Sequence, residues 1–308
     1  MAERTGAAGR RVVRRAVGGR APGGVAAAEG LLSVMAAAAD ATRAPESRVS
    51  AQGVTGQQLV DALRGLGVGQ GDTLLVHGSL RSIGWVDGGA QAVAGALREV
   101  ARNVVVPAAT EQNSNTSRVH LARIAGMTPE EVLAYRAEMP AFHAGMPSGM
   151  GAIAEAVRTG PGAVRSGHPQ SSFAAVGPEA GYLMDDHRLH CHYGEDSPLA
   201  KLYKMDARVL LLGTGYHACT AFHLAEYRYT PSPPVRRYEC VVTLADGQRC
   251  WTSYDDVMLD DHEFEVIGKS FEKAADVNRG DVGNAECRLM PLCHAVDFAA
   301  QWMTENRK

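Results

Sequence analysis

A strand, a helix and a second strand follow one another at the spacing of a crossover unit. The apolar run Thr73–His77 predicts a short buried strand, and Asn103–Pro107 predicts another. Between them, Gly88–Arg102 carries its large apolar residues at helical spacing. Strands joined in this way favour a parallel pair covered by helices. The sequence therefore predicts an α/β fold built around parallel strands.

The chain after Thr55 continues the α/β pattern. Ser172–Val176 and Arg208–Leu212 predict two more buried strands, and a β-hairpin is predicted from Arg237 to Tyr254 with its turn at Asp246-Gly247. We therefore expect an α/β domain with an appended C-terminal α+β segment. Further helices are predicted before Gly67, from Thr128, over 149–159 and 218–229, near 261–275 and near 293–304.

Residues 1–50 differ from the rest in composition. They hold eight arginines and four acids, many alanines and glycines, and almost no large apolar residue before Leu31. A segment with so few large apolar side chains buries too little surface to fold by itself. We expect a flexible or non-core extension over 1–50 and the folded domain over 51–308.

Charge and cysteine usage narrow the class of protein. The formal net charge is −3, and residues 51–308 alone carry −7, which disfavours nucleic acid as a partner. No apolar run approaches the roughly 18 residues that a membrane span needs. None of the six cysteines forms a C-x-x-C pair, so we expect reduced thiols. The sequence predicts a cytoplasmic monomer or homodimer that binds neither nucleic acid nor membrane.

Two polar stretches follow or enter predicted strands. His77–Gly84 follows the first strand and offers backbone N–H groups and hydroxyls to an anion, although a structural Gly/Ser turn is the alternative. Arg165–Phe173 contains His168, whose imidazole has an ordinary pKa suited to proton transfer. A lone histidine is, however, often a buried structural group, and that alternative stays open.

A third polar stretch lies on the predicted helix over 218–229. His223 and Glu226 are three residues apart on one helix face, where they could orient a base or bind a metal. No third metal ligand is evident in the sequence, so we expect no metal. Cys219 beside His217 could be a nucleophile, but a buried inert thiol is the simpler interpretation.

Four motifs together resemble one family. They are Val76-His-Gly-Ser-Leu-Arg-Ser-Ile-Gly-Trp-Val86, Arg165-Ser-Gly-His-Pro169 with Ser172-Phe-Ala-Ala-Val-Gly177, Gly194-Glu-Asp-Ser-Pro-Leu199, and Leu211-Leu-Gly-Thr-Gly215 leading to His223-Leu-Ala-Glu226. Their order and spacing are similar to those of the aminoglycoside 3-N-acetyltransferase family. The resemblance implies an α/β/α sandwich with a mixed sheet, unlike the GNAT acetyltransferases. It also implies acetyl transfer from acetyl-CoA to the 3-amino group of a 2-deoxystreptamine antibiotic, conferring resistance or self-resistance.

The resemblance assigns roles to individual residues. It implies that His168 is the general base, that Glu226 orients the base or holds the amine, and that the amine attacks the thioester directly in a ternary complex. On this basis we expect His168→Ala to lower turnover by about 10²-fold or more. The residues implied for CoA are Ser79, Leu80, Arg81, Ser82, Gly84, Ser172 and Phe173, and those implied for the cationic acceptor are Glu111, Glu195, Asp196 and His223.

One segment departs from the family pattern and keeps other functions open. The loop Ala108–Arg118 is rich in amides and hydroxyls where family members usually carry a Pro/Trp-rich acceptor loop. The acceptor could therefore be a different amine of natural-product metabolism. Two further alternatives are a CoA-binding protein that has lost catalysis and a zinc-dependent hydrolase built on His223 and Glu226.

Overall fold

The core of the molecule is a mixed seven-stranded sheet. The computed structural model describes residues 53–244, 246–275 and 277–307. The strands of the main sheet lie in the order β3-β4-β2-β1-β5-β9-β8, and β6 and β7 form a separate hairpin. The strands are β1 Thr73–Gly78, β2 Asn103–Pro107, β3 Val164–Arg165, β4 Phe173–Val176, β5 Arg208–Leu212, β6 Val235–Thr243, β7 Arg249–Val257, β8 Asn278–Val282 and β9 Ala285–Pro291.

The three central strands β2, β1 and β5 are parallel, which confirms the predicted crossover from β1 to β2. The outer strands β4, β3, β9 and β8 pair antiparallel to their neighbours. The connecting helices are α1 Gly56–Gly65, α2 Leu80–Ile83, α3 Gly89–Val100, α4 Arg118–Ile124, α5 Pro129–Glu138, α6 Ala152–Arg158, α7 Ala180–Met184, α8 Pro198–Lys204, α9 Phe222–Glu226, α10 Phe264–Ala274 and α11 Leu292–Asn306.

The sheet has an apolar core on each face because successive side chains of a strand point to opposite sides. On β1, Leu74 and Val76 join one core with α1, α3 and α6. Leu75 joins the other core, with helices α7 to α11. Two helical layers therefore enclose the sheet, which confirms the α/β/α sandwich.

Local sequence signals explain where several helices begin. Thr128 caps α5 through a reciprocal capping box with Glu131, and Pro129 occupies the first helical position. Thr55 and Gln58 form the same arrangement at the start of α1. Helix α9 is shorter than the predicted 218–229: the 3₁₀ turn Tyr216–Ala218 and a turn at 220–221 precede it, and it ends at Glu226.

The C-terminal part of the chain differs from the prediction in one respect. The hairpin β6–β7 is separate from the main sheet, as expected, but β8 and β9 extend that sheet beside β5. Strand β8 has the polar sequence Asn-Arg-Gly-Asp-Val and lies at the sheet edge, so it lacks the apolar pattern that predicts a strand.

The expectations about membrane spans, cysteines and the N-terminal segment can be compared with the structure. No helix among the described residues is long and apolar enough to cross a membrane. All six cysteines are free thiols, and Cys240 and Cys250 do not pair across the hairpin because Thr252 lies opposite Cys240. The predicted extension over residues 1–50 lies outside the described residues.

Candidate active site

The candidate site lies where the chain leaves the two central parallel strands. Gly78 ends β1 opposite Leu212, which ends β5, and the backbone N–H of Ser79 donates to the Leu212 carbonyl at 2.9 Å. From β1 the chain crosses to β2 on one side, whereas β5 lies on the other. In open α/β sheets, such a switch point leaves a crevice at the carboxyl ends of the strands.

Two adjoining pockets occupy this crevice. The inner pocket has a volume of about 380 Å³, and its wall includes His77, Ser79, Met150 and His223. The outer pocket has a volume of about 590 Å³, and its wall includes Ser82. Ser79, Thr214 and His217 line both pockets. The two pockets are therefore parts of one cleft.

The loop after β1 is shaped by two serines and close backbone packing. Ser79 caps α2 by accepting a hydrogen bond from the Ser82 N–H at 3.3 Å, and the two hydroxyls lie 2.9 Å apart. Gly213 has φ +69°, and a Cβ there would lie 2.6 Å from the Ser82 Cβ. Gly84 has φ +94° and packs equally tightly against Asn284. Glycine is required at both positions for the loops to approach one another.

His223 forms a hydrogen-bonded pair with Glu226 on the wall of the inner pocket. The His223 Nδ1 lies 2.7 Å from the Glu226 Oε2, and the His223 side chain is 15% exposed. The carboxylate is fully buried. A carboxylate on Nδ1 fixes the proton on that nitrogen and leaves Nε2 as the acceptor. The pair therefore has the arrangement of an oriented general base.

Two aromatic rings hold the His223 imidazole in place. The Tyr193 ring stacks on it with centroids 4.7 Å apart and an interplanar angle of 8°. The Phe264 ring meets it edge-on at 4.7 Å. Because the ring is packed on both sides and bonded at Nδ1, its orientation toward the pocket is defined before substrate binds.

His77, at the end of β1, is a second imidazole on the inner pocket wall. Burial, with a smaller contribution from the nearby His223 charge, lowers the pKa of His77 to about 3. Its Nε2 is enclosed and has no hydrogen-bond partner among the described residues. His77 is therefore neutral at physiological pH and is too weak a base to accept the proton of an amine.

His168 lies away from both pockets. It is completely buried, its Nδ1 accepts hydrogen bonds from the N–H groups of Gln170 and Ser171, and its Nε2 donates to the Leu189 carbonyl at 2.9 Å. Burial, followed by the charges of His192 and His187, lowers its pKa well below the usual range. With both ring nitrogens bonded and no place on either pocket wall, His168 does not fit the role of general base expected from the sequence.

His168 instead belongs to a buried histidine cluster with His187 and His192. The ring centroids of His187 and His192 lie 4.8 and 4.7 Å from that of His168. His192 Nδ1 is 2.6 Å from the Asp256 carboxylate on β7, and Ser166 Oγ is 2.9 Å from His187 Nδ1. The cluster fastens the hairpin to the main domain.

The residues expected to bind CoA divide into two groups. Ser79 and Ser82 line the cleft, whereas Arg81 is exposed and Leu80 packs against the core of the α1 face. Gly84 has no side chain, so its part in the site is the backbone turn described above. Ser172 donates its hydroxyl to the Ala108 carbonyl, and Phe173 is fully buried on β4. Neither is among the residues that line the two pockets, so their expected contact with the thioester does not fit the structure.

Two of the acids expected to hold the acceptor, Glu195 and Asp196, are not among the residues that line the pockets. Glu195 is exposed and forms an ion pair with Arg228 at 2.7 Å, and the Asp196 side chain is exposed. The Glu111 side chain lies outside the described residues. Of the three expected acceptor residues whose side chains the structure describes, only His223 lies in the cleft.

The tertiary structure adds residues that the sequence did not single out. Asp261, after β7, lies on the inner pocket wall and is half-exposed, 3.6 Å from the Arg118 guanidinium. Thr214 and Phe264 complete the surroundings of His223. The local sequence Asp260-Asp261-His262 carries no pattern that predicts a place on the same pocket wall as His223.

The pair His223–Glu226 does not form a metal-ligand set. Both Glu226 oxygens are occupied, Oε2 by His223 and Oε1 by the Asp260 N–H at 2.8 Å and by Arg307. The one group of three ligand atoms found among the described residues comprises Asp260, Asp261 and His262, at the surface. Exposed acidic clusters are common without an ion, so the geometry gives no support to the zinc-hydrolase alternative.

Comparison with known proteins identifies the family. The family model for aminoglycoside 3-N-acetyltransferases matches residues 75–304. The aminoglycoside N(3′)-acetyltransferase-like protein YokD of Bacillus subtilis is 38% identical over 82% of this chain and 93% of its own. Aminoglycoside N(3)-acetyltransferase VII of Streptomyces paromomycinus is 36% identical over 82% of this chain and 92% of its own.

Solved structures agree with this result. The crystal structure of YokD superposes with a TM-score of 0.78 at 37% identity, covering 83% of this chain and 95% of YokD. A binary complex of AAC-IIIb with CoASH superposes with a TM-score of 0.71 at 27% identity, covering 82% of this chain and 97% of that one. The fold, the cleft at the ends of β1 and β5 and the matched sequence together show that the chain belongs to the aminoglycoside 3-N-acetyltransferase family.

Proposed function

We propose that this protein transfers the acetyl group of acetyl-CoA to an amino group of an aminoglycoside, with His223 as the general base. The observation that carries the proposal is the His223–Glu226 pair on the wall of a cleft in a member of this family. A relative named for aminoglycoside N(3)-acetylation and another solved with CoASH support the choice of substrates.

The acceptor must lose a proton before it reacts. An aminoglycoside is a polycation at neutral pH, and only a deprotonated amine is a nucleophile. In the proposed reaction the ammonium group first releases one proton to solvent, and His223 Nε2 then takes a second proton from the neutral amine as its nitrogen attacks the thioester carbonyl. Glu226 stabilises the imidazolium that forms, as a buried carboxylate does in a catalytic triad.

The remaining steps balance the reaction. The carbonyl electron pair moves to oxygen as the N–C bond forms, and it returns as the C–S bond breaks. The imidazolium then delivers its proton to the departing thiolate, which releases CoASH and the N-acetylated product. Because His223 ends in its starting state, the pair needs no acyl-enzyme and no external oxidant, reductant or metal.

The cleft offers complementary surfaces for the two substrates. The hydroxyls of Ser79 and Ser82 and the close packing at Gly213 suit the polar backbone of an acyl-CoA. Asp261 is a carboxylate on the inner pocket wall and suits an ammonium group by a charge-assisted hydrogen bond. We place the reaction in the cytoplasm because acetyl-CoA is supplied there.

Thiol release from acetyl-CoA tests the proposal. A thiol-reactive dye is used with kanamycin, neomycin, gentamicin and apramycin as acceptors, and mass spectrometry then locates the acetyl group. We expect release that depends on an aminoglycoside and that falls by about 10³-fold in His223→Ala. His294→Ala is the control, because His294 is an exposed histidine on α11 that lines neither pocket of the cleft.

The alternatives give different results. Thermal stabilisation by CoA without turnover on any aminoglycoside would contradict the proposed acceptor and favour another amine. Near-normal turnover in His223→Ala would remove His223 from the role of base. Absence of both turnover and CoA binding would reject the acetyltransferase proposal.

A further inference from the structure

Arg307, the penultimate residue of the chain, reaches back to the His223–Glu226 pair. It caps the C-terminal end of α11, and its side chain is 15% exposed. Its Nη1 donates to the Glu226 Oε1 at 2.9 Å, on the opposite carboxylate oxygen from the one that meets His223. The three side chains therefore form a continuous chain of contacts from the C-terminus to the pocket.

The rest of the guanidinium is also engaged. Its Nε donates to the Glu263 Oε2 at 2.7 Å, and its Nη2 donates to the Asp260 carbonyl at 2.7 Å. Asp260 in turn donates its N–H to Glu226. Arg307 thus shares its charge between two carboxylates, one of which is the partner of His223. It also holds the segment that carries Asp261.

Other titratable groups also surround the pair, on every element packed against it. The imidazoles and phenols among them are neutral or change charge within the pH range of enzyme assays, and the carboxylates stay negative, whereas Arg307 is a cation bonded to Glu226 and stays charged throughout. These other groups are His77 on β1, His192 and Tyr193 before α8, Tyr238 on β6, and Asp260, Asp261 and Glu263 between β7 and α10.

We propose that Arg307 is a positioning residue that holds Glu226 and offsets part of its charge, so that less of that negative charge acts on the His223 imidazole. The inference rests on the proposed function of this pair. Without the cation, the buried carboxylate would act on the imidazole alone and would stabilise its protonated form. A protonated His223 has no free nitrogen with which to accept the proton of an amine.

The pH dependence of kcat/KM tests this role. In Arg307→Met we expect the midpoint of the acid limb to rise by about one pH unit, with a loss of kcat/KM that approaches about tenfold well below both midpoints and a plateau at high pH within about threefold of the wild type. In Arg307→Lys, which keeps the charge but not the fork of donors, we expect an intermediate midpoint. Arg102→Met is the control, because Arg102 pairs with Glu179 far from the cleft.

For Glu263→Gln we expect the midpoint of the acid limb to shift in the opposite direction. Removing the carboxylate that competes for Arg307 leaves more of its positive charge on Glu226. The midpoint should therefore fall, by about half a pH unit. This variant keeps Arg307 in place, so it tests the inference even where Arg307→Met is too unstable to assay.

NMR titration of the His223 ring in the free protein provides a readout without turnover. We expect the NMR midpoints to follow the same order as the kinetic ones. The midpoint should be lowest in Glu263→Gln, then rise through wild type and Arg307→Lys, and be highest in Arg307→Met. Equal loss of activity at all pH values, or unmoved midpoints, would overturn the inference and assign Arg307 a purely structural role. A wild type without acetyl transfer would reject the proposed function instead, and the NMR result would still decide the role of Arg307.

Discussion

Two groups of histidines in this molecule differ in what their surroundings allow them to do. In the buried histidine cluster, every nitrogen of His168 is bonded within the protein. At the pocket, His223 is bonded to a carboxylate through one nitrogen, and its ring lies on the wall of the cleft. An imidazole can transfer a proton only when one nitrogen is oriented and the other can reach substrate. The comparison shows that burial and hydrogen-bond partners, rather than the presence of a histidine in a motif, distinguish a structural histidine from a candidate base.

The largest loss of activity predicted in this comparison is for substitution of Glu226, the carboxylate bonded to His223. Glu226→Gln keeps the size of the side chain but removes the charge that stabilises the imidazolium. We expect kcat to fall by about 10²- to 10³-fold with little change in CoA affinity. Steady-state kinetics and CoA titration measure the two quantities, and Glu179→Gln serves as the control at a remote ion pair. A kcat within threefold of wild type would mean that His223 needs no carboxylate.

His168→Ala tests the other side of the comparison. Two buried backbone N–H groups lose their acceptor, so we expect the free energy of unfolding to fall by about 3 kcal/mol. For protein that remains folded, kcat should stay within about threefold of wild type. Urea unfolding and kinetics below the melting temperature separate the two effects. A 10²-fold loss of kcat in stable, folded protein would restore His168 as a catalytic candidate.

The buried histidine cluster should also make stability depend on pH. Burial lowers the pKa of His187 to about 4, below its ordinary value near 6.5. Between these values the unfolded chain binds the proton and the folded protein does not, so stability is present above pH 6.5 and is lost as the pH falls. From pH 7 to pH 5 we expect His187 alone to reduce the free energy of unfolding by about 2 kcal/mol.

Urea unfolding at both pH values measures this loss. The same experiment on His187→Gln should show a smaller difference between pH 7 and pH 5, although the variant is less stable overall. A pH dependence identical to that of the wild type would exclude His187 as its source.

The smallest effect is expected at the surface acid Glu195. Its ion pair with Arg228 is exposed, so Glu195→Gln should change the free energy of unfolding by no more than about 0.5 kcal/mol. It should also leave the KM for an aminoglycoside within about twofold of wild type, because Glu195 does not line the cleft. A tenfold rise in KM would show that the acceptor extends beyond the two pockets.

Much of the fold could be predicted because its signals are local. The apolar runs of β2 and β5 are bounded as predicted, and the capping box at Thr128 marks the start of α5. Strand β8 was missed because a polar edge strand is defined by its partner β9 and not by its own side chains. The reach of Arg307 to Glu226 spans 81 positions, and no local pattern signals it.

The sequence by itself determined the α/β class, the crossover between the first two strands, the loop from His77 to Gly84 and the resemblance to one acetyltransferase family. It also supplied both candidate histidines and Glu226. Only the tertiary structure shows that His223 lines the cleft whereas His168 is enclosed, because the accessibility of a ring nitrogen depends on which backbone groups fold around it. The 2.7 Å contact of His223 with Glu226 follows from one helical turn, whereas the burial of His168 follows from a loop and a hairpin distant in the chain. Long-range packing therefore decides which of the two imidazoles lies on the wall of the cleft.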